Sequence, residues 1–160
     1  MKKGILILII LFLQNTNCLS QQTIEVEKNW QNLKEKFIHK SEIVLKFKSI
    51  LDTSEKSDKT DLNKTELYAK ELIRECESKK FNKESINNVK FKNDSLNSYL
   101  VRILVSLESD IRLKSSEEIL VLFDELTLSE QDIFTKIADY NLICQNSNNQ
   151  DLLFPVKHID

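Results

Sequence analysis

Three charged residues stand where an amphipathic helix pattern asks for apolar ones. Lys40 and Glu130 occupy inward positions of two separate stripes, and Glu108 sits at the edge of a third. His39 adjoins Lys40, and Glu42 follows two residues later. Inward carboxylates beside a lysine can exchange protons, hold a metal or pair with each other. A lone buried carboxylate is costly unless it is paired or neutralised, so Glu130 and Glu108 are expected to meet Lys40, His39, Arg102 or Arg112, or to lie at the rim. The plainest outcome is a polar pair that fixes helix register. The sharper one is a metal or acid–base site. Carboxylate-bridged metal centres in helical proteins use Glu-x-x-His on two helices. Here the order is reversed and occurs once, as His39-Lys40-Ser41-Glu42, while His158 lies past Pro155. No metal and no cofactor is therefore expected. Cys76 and Cys144 fall on apolar stripes with no helical histidine close in sequence, which leaves a nucleophilic triad without support. They are either two buried thiols or, in an oxidising compartment, one disulfide between two helices.

The elements that must position these residues are helices. Val26, Trp30, Leu33, Phe37, Val44, Phe47 and Leu51 step by fours and threes with Lys40 in the same stripe, which predicts a helix from about Gln22 to Leu51. The run Asp52 to Thr60 has no apolar residue and reads as a solvated connection. A second helix follows, capped by Thr60 or Asp61, with Leu62, Ala69, Leu72 and Cys76 inward. Residues Lys79 to Lys92 read either as a helix extension or as a loop with anchoring aromatics. A third helix is predicted from Asn93-Asp94-Ser95, carrying Leu96, Leu100, Ile103, Leu104, Leu107 and Ile111. Ser115 with Glu118 three residues later has the form of a capping box, and opens a fourth helix from about Glu117 to Gln145. Its stripe is Ile119, Phe123, Leu126, Glu130, Ile133, Ile137, Tyr140 and Cys144. Four such helices with short links predict an all-α, up-and-down antiparallel four-helix bundle.

Composition agrees. One glycine and one proline in 160 residues argue against turn-rich β folds and glycine-rich phosphate loops. A formal charge of −2, with basic residues spread among acidic ones, gives no electrostatic footprint for nucleic acid. The N-terminus reads separately. Lys2 and Lys3 precede the apolar run Gly4 to Leu13, and Cys18-Leu19-Ser20 places small residues before Gln21. This is the form of a secretory signal over residues 1–20, with a run too short to span a membrane. Two alternatives stand beside it: lipidation at Cys18, and an uncleaved N-terminal anchor. Without Lys2 and Lys3 the net charge falls to −4. The domain proper is then 21–155, with 156–160 a short tail.

From Glu108 to Asn141 the spacing becomes specific, and it resembles the LemA family. The C-terminal half of that family carries Glu-x-Tyr-Pro-x-Leu-Lys-Ala, then Glu-Leu, a glutamate, an isoleucine and Tyr-Asn. Here Glu108, Leu113, Lys114, Glu125-Leu126, Glu130, Ile133 and Tyr140-Asn141 match without a gap. The family's later asparagine and closing Phe-Pro fall at Asn148 and Phe154-Pro155. Trp30 stands where the family has its tryptophan, and His39-Lys40-Ser41-Glu42 keeps a basic-basic-x-acidic order. Departures are Asp110-Ile111 in place of Tyr-Pro, Ile137 in place of an arginine, and Ser147 in place of a second tyrosine, which predicts a frayed last turn. The resemblance implies a helical bundle outside the cytoplasmic membrane, with no enzymatic activity, acting as an interaction or stress-related factor. Its partner would be an envelope protein, with no nucleic acid and with membrane association only through the N-terminal segment. The stripe-breaking positions coincide with family positions, and His39, Lys40, Glu42, Glu108, Lys114 and Glu130 are expected to form one structural polar network. The rival reading is a small-ligand or metal-binding bundle using Glu108 and Glu130.

Overall fold

The computed structural model describes residues 2–54, 58–108 and 110–156, with side chains from Thr23 onward. The proposed signal over 1–20, Cys18 included, and His158 in the tail lie outside the described side chains. Among the described residues the chain is all-helical and has no strand. The helices are α1 (Lys2–Leu51), α2 (Lys59–Glu77), α3 (Lys83–Leu107), the short α4 (Ile111–Lys114) and α5 (Glu117–Asn146). A 3-10 turn, Gln150–Leu152, follows α5.

The α1 stripe sets the core. Val26, Trp30, Leu33, Phe37, Val44, Phe47 and Leu51 are all buried, and burial of each such side chain contributes about 1.5–3 kcal/mol. Helix α1 packs along α2 and α5, and α2 packs along α3. Each pair runs antiparallel. Lys34 reaches Ser78 while Lys48 reaches Glu66; Trp30 meets Tyr140 while Phe47 meets Phe123; Glu71 meets Lys92 while Asp61 meets Arg102.

The caps differ from the sequence expectation in two places. The α2 N-terminus is capped by Asp58, whose carboxylate accepts from the backbone N–H of Thr60 and Asp61. The α5 cap is Ser116, accepting from the Ile119 N–H, and no Ser115–Glu118 capping box forms. Ser115 is already engaged, as its hydroxyl closes α4 on the Ile111 carbonyl. Ile111, expected inward on the third helix, instead begins α4 and is exposed. Its neighbour Asp110 is buried, caps α4 and accepts a hydrogen bond from Ser54 at 3.0 Å, joining the two connections at that end.

The ambiguous stretch before Lys92 is helical. Asn82 and Ser85 form a reciprocal capping box, so α3 begins ten residues before the Asn93 start read from the sequence. This extends the α3 stripe to Ile86, Val89, Asn93, Leu96, Leu100, Ile103 and Leu107, all buried.

Candidate functional site

The α1 stripe carries Lys40 into the middle of the core, where it is fully buried. Its ammonium donates to Asn93 Oδ1 at 2.8 Å and Asn97 Oδ1 at 2.5 Å on α3, and it pairs with Glu130 Oε1 at 2.5 Å on α5. One lysine thus ties α1 to both α3 and α5. Three acceptors match the three N–H groups of an ammonium, so every donor is used inward. Burial lowers the Lys40 pKa from its ordinary value, and the neighbouring Glu130 charge opposes that shift. A nucleophilic or proton-abstracting lysine needs a free lone pair. Here the nitrogen is committed to three hydrogen bonds, and the arrangement acts as a cross-link that fixes register.

Glu130 has a second aspect. Its side chain is 42 % exposed, and it lines a groove of about 560 Å³ between α3 and α5. Asn97 also reaches that groove, so two of the lysine's partners join Thr127 and Gln131 as the polar part of its lining. The groove is walled by Leu100, Val101 and Leu104 from α3 and by Phe123 and Leu126 from α5. A larger groove of about 740 Å³ lies between the end of α1 and the start of α5, near Ile50 and Val121. Neither of the lysine's helix-spanning contacts enters it, so the α3/α5 groove is the better candidate.

The six-residue network expected from the sequence divides. Lys40 and Glu130 meet, but His39 and Glu42 are exposed on α1. Glu108 pairs with Lys114 at the far end of α3, where both side chains are half-exposed. The reason is topological: Glu108 caps the C-terminus of α3, and the α4 turn brings Lys114 back over it. Asn93 and Asn97, which complete the lysine's shell, were not among the expected residues. Their signal is the α3 stripe itself, which places a polar Asn93 between Val89 and Leu96.

Cys76 and Cys144 are both free, buried thiols, and no bridge joins them. Burial pushes the Cys76 thiol up to about 12 and also raises Cys144. Neither is a ready nucleophile at neutral pH.

The C-terminal residues form a lock. Ser147 ends α5, and Asn148 takes a left-handed conformation with φ 57. The Asn149 N–H then reaches the Cys144 carbonyl at 2.8 Å, and the Asn148 N–H reaches Gln145 at 3.2 Å, the paired bonds of a Schellman motif. Helix α5 is therefore tightly closed, not frayed. The chain turns back, and Asn141 clamps the Phe154 backbone, donating to its carbonyl at 3.0 Å and accepting from its N–H at 2.8 Å. Tyr140 donates to the Leu152 carbonyl at 2.8 Å, and burial raises its phenol pKa. The Phe154 ring stacks on Phe37 at 5.6 Å and lies 6.5 Å from Trp30. Pro155 follows at the surface.

Among the described residues, no cluster of three or more histidine, cysteine or acidic side chains is arranged to hold a metal, and no helix is long and apolar enough to cross a membrane. No protein-family model matches the chain, and no curated protein or solved structure is significantly similar to it.

Proposed function

We propose that this is an exported, non-enzymatic protein of the cell envelope that works by binding another protein, built as an up-and-down antiparallel four-helix bundle of LemA type. The antiparallel pairing of α1 with α2, α1 with α5 and α2 with α3 supports the bundle reading. The export reading rests on Lys2-Lys3, the apolar run Gly4 to Leu13 and the small residues before Gln21. Lipidation at Cys18 remains its alternative.

The observation that carries the binding reading is the α3/α5 groove, whose lining is largely apolar, with Leu100, Val101 and Leu104 from α3 and Phe123 and Leu126 from α5. Val101, Val105, Leu120 and Phe134 are more than half exposed on helices whose inner faces are already filled. A concave, largely apolar groove with exposed apolar residues on the helices that form it is the form of surface at which partners bind. The polar centre beneath it has its donors saturated, which fits a scaffold better than a reaction site. The rival metal-binding reading asks Glu108 and Glu130 to converge, and each instead has its own lysine.

Crosslinking the full chain in its native cells, followed by mass spectrometry, tests the proposal. A specific envelope protein should be recovered from the extracytoplasmic fraction. Recovery of no specific partner, together with a stoichiometric metal in protein purified without chelator, overturns it.

A further inference from the structure

We infer that Tyr68 and Tyr99 are the site of an oxidative modification, an intramolecular dityrosine bond that staples α2 to α3. Such a bond would form whether or not a partner docks on the α3/α5 groove. Tyr68 lies on α2 and Tyr99 on α3, and their rings stack with centroids 5.5 Å apart and planes 17° from parallel. At that separation the rings are offset, which brings their edge carbons to about 3.5–4.0 Å, van der Waals contact. The pair is bracketed at both ends. Lys92 bonds Glu71 at 2.6 Å and lies 5.7 Å from the Tyr68 ring centre. Arg102 pairs with Asp61 at 3.6 Å and lies 5.1 Å from the Tyr99 ring centre. Both ion pairs cross from α3 to α2 on either side of the tyrosines, so the two helices meet there in a fixed register.

Accessibility then selects this pair. One-electron oxidants act chiefly on tyrosine, tryptophan and cysteine side chains. Among the described residues Trp30, Tyr140, Cys76 and Cys144 are buried, whereas Tyr68 and Tyr99 are only half-buried. Tyr140 also commits its hydroxyl to the Leu152 carbonyl. The Tyr68 and Tyr99 hydroxyls have no acceptor among the described residues, and release a proton to water on oxidation. Each phenol loses one electron and one proton and becomes a phenoxyl radical, with spin density on the ring carbons beside the C–O bond. Two such radicals couple there, forming one carbon–carbon bond. The hydrogen on each coupled carbon then moves to its phenoxyl oxygen, which restores both phenols. The net change is the loss of two hydrogens. Hydrogen peroxide, acting through a peroxidase-type one-electron oxidant, takes up the two electrons and two protons and becomes two waters. A ring already in contact outcompetes any tyrosine of another molecule, because proximity acts as a high effective concentration.

The test treats the full chain with hydrogen peroxide and a haem peroxidase, and reads the product by dityrosine fluorescence and by mass spectrometry of tryptic peptides. The expected product is a monomer lighter by two hydrogens, in which peptides 65–70 and 93–102 are joined. Tyr68→Phe and Tyr99→Phe keep a ring in the stack but lack the phenol, and each should abolish the cross-link. The bond closes the loop between residues 68 and 99, so the melting temperature of the product should rise by about 5–10 °C. A cross-link that persists in either variant, or that joins two molecules instead of one, overturns the inference. Oxidation of Trp30 or Tyr140 with Tyr68 and Tyr99 left intact overturns it as well. So does the absence of any cross-link under conditions that couple free tyrosine. A cross-linked monomer that melts where the unmodified chain does would remove the staple role.

Discussion

Deleting the Glu130 carboxylate should destabilise this protein more than deleting its lysine partner. Lys40 is fully buried, while the Glu130 side chain is 42 % exposed. In Glu130→Ala the ammonium keeps two asparagine oxygens and loses its counter-charge. Breaking a buried pair from one side costs about 3–5 kcal/mol, and water reaching the vacated edge brings the expectation here to about 2–3 kcal/mol. At roughly 2–4 °C per kcal/mol for a domain of this size, the melting temperature falls by roughly 5–10 °C. Lys40→Met removes the charge and keeps the aliphatic stem, and the exposed Glu130 rehydrates. Its cost should stay within about 1 kcal/mol. The double variant leaves no buried charge at this site and should be more stable than Glu130→Ala alone, a sign that simple loss of contacts cannot produce.

Urea unfolding followed by fluorescence of Trp30, the single tryptophan, reads this directly, since that ring is fully buried 5.6 Å from Tyr140. A pH series adds an independent check. Burial lowers the Lys40 pKa in the folded state below its unfolded value of 10.5. Between those two values the unfolded chain holds more protons, so this group makes stability rise with pH, and Lys40→Met should remove that rise. The reasoning is refuted if Glu130→Ala unfolds within about 0.5 kcal/mol of the wild type, or if the double variant is no more stable than Glu130→Ala.

Asn148 holds the left-handed position that closes α5, so Asn148→Val should destabilise by about 1–2 kcal/mol while Asn148→Gly stays neutral or slightly stabilising, as measured by urea midpoints. Hydrogen bonds from Lys70 and Lys48 hold the Glu66 carboxyl down at about 2, against an ordinary value of 4.5. Its stabilising contribution is complete above the ordinary value and is lost as pH falls towards about 2, so Glu66→Gln should flatten the acid limb of the stability curve over that window. A wild-type slope in the variant would contradict this. Cys76 and Cys144 should resist iodoacetamide in the folded protein at neutral pH, and should both react in denaturant without any reductant. A requirement for reductant would mean that they are bridged.

The first helix was legible over its core-facing part and at its end, because its stripe is unbroken except at Lys40, although it begins at Lys2 and not near Gln22, where the stripe starts; the break itself pointed to the polar centre. The third was not, because Asn93-Asp94-Ser95 has the composition of a helix start. Taking it as one hid Asn93 inside a stripe that begins at Ile86. The true start rests on a reciprocal Asn82–Ser85 cap, which is quieter in sequence than the false one. Ser115 reads as the cap of the last helix and its neighbour Ser116 takes that place, because Ser115 closes a four-residue helix that local spacing does not announce. Glu108 lies at the rim, one of the two outcomes expected for it, and the α4 turn brings Lys114 over it there, away from Lys40.

The spaced residues at the C-terminus bear on where function can lie. Tyr140, Asn141, Asn148 and Phe154 each have a structural task, namely a hydrogen bond to Leu152, a clamp on Phe154, a left-handed turn, and a ring against Phe37 and Trp30. A pattern whose members are spent holding a chain reversal identifies an architecture and supplies no chemistry. The residues free to meet a partner are those the pattern omits. Val101, Val105, Leu120 and Phe134 belong to none of the matched positions, and all four are more than half exposed. If the fold is kept by the lock while specificity is set by the groove, exchanging those four side chains should change what binds and leave the bundle intact. Exchanging the lock residues should unfold the bundle and abolish binding only as a consequence.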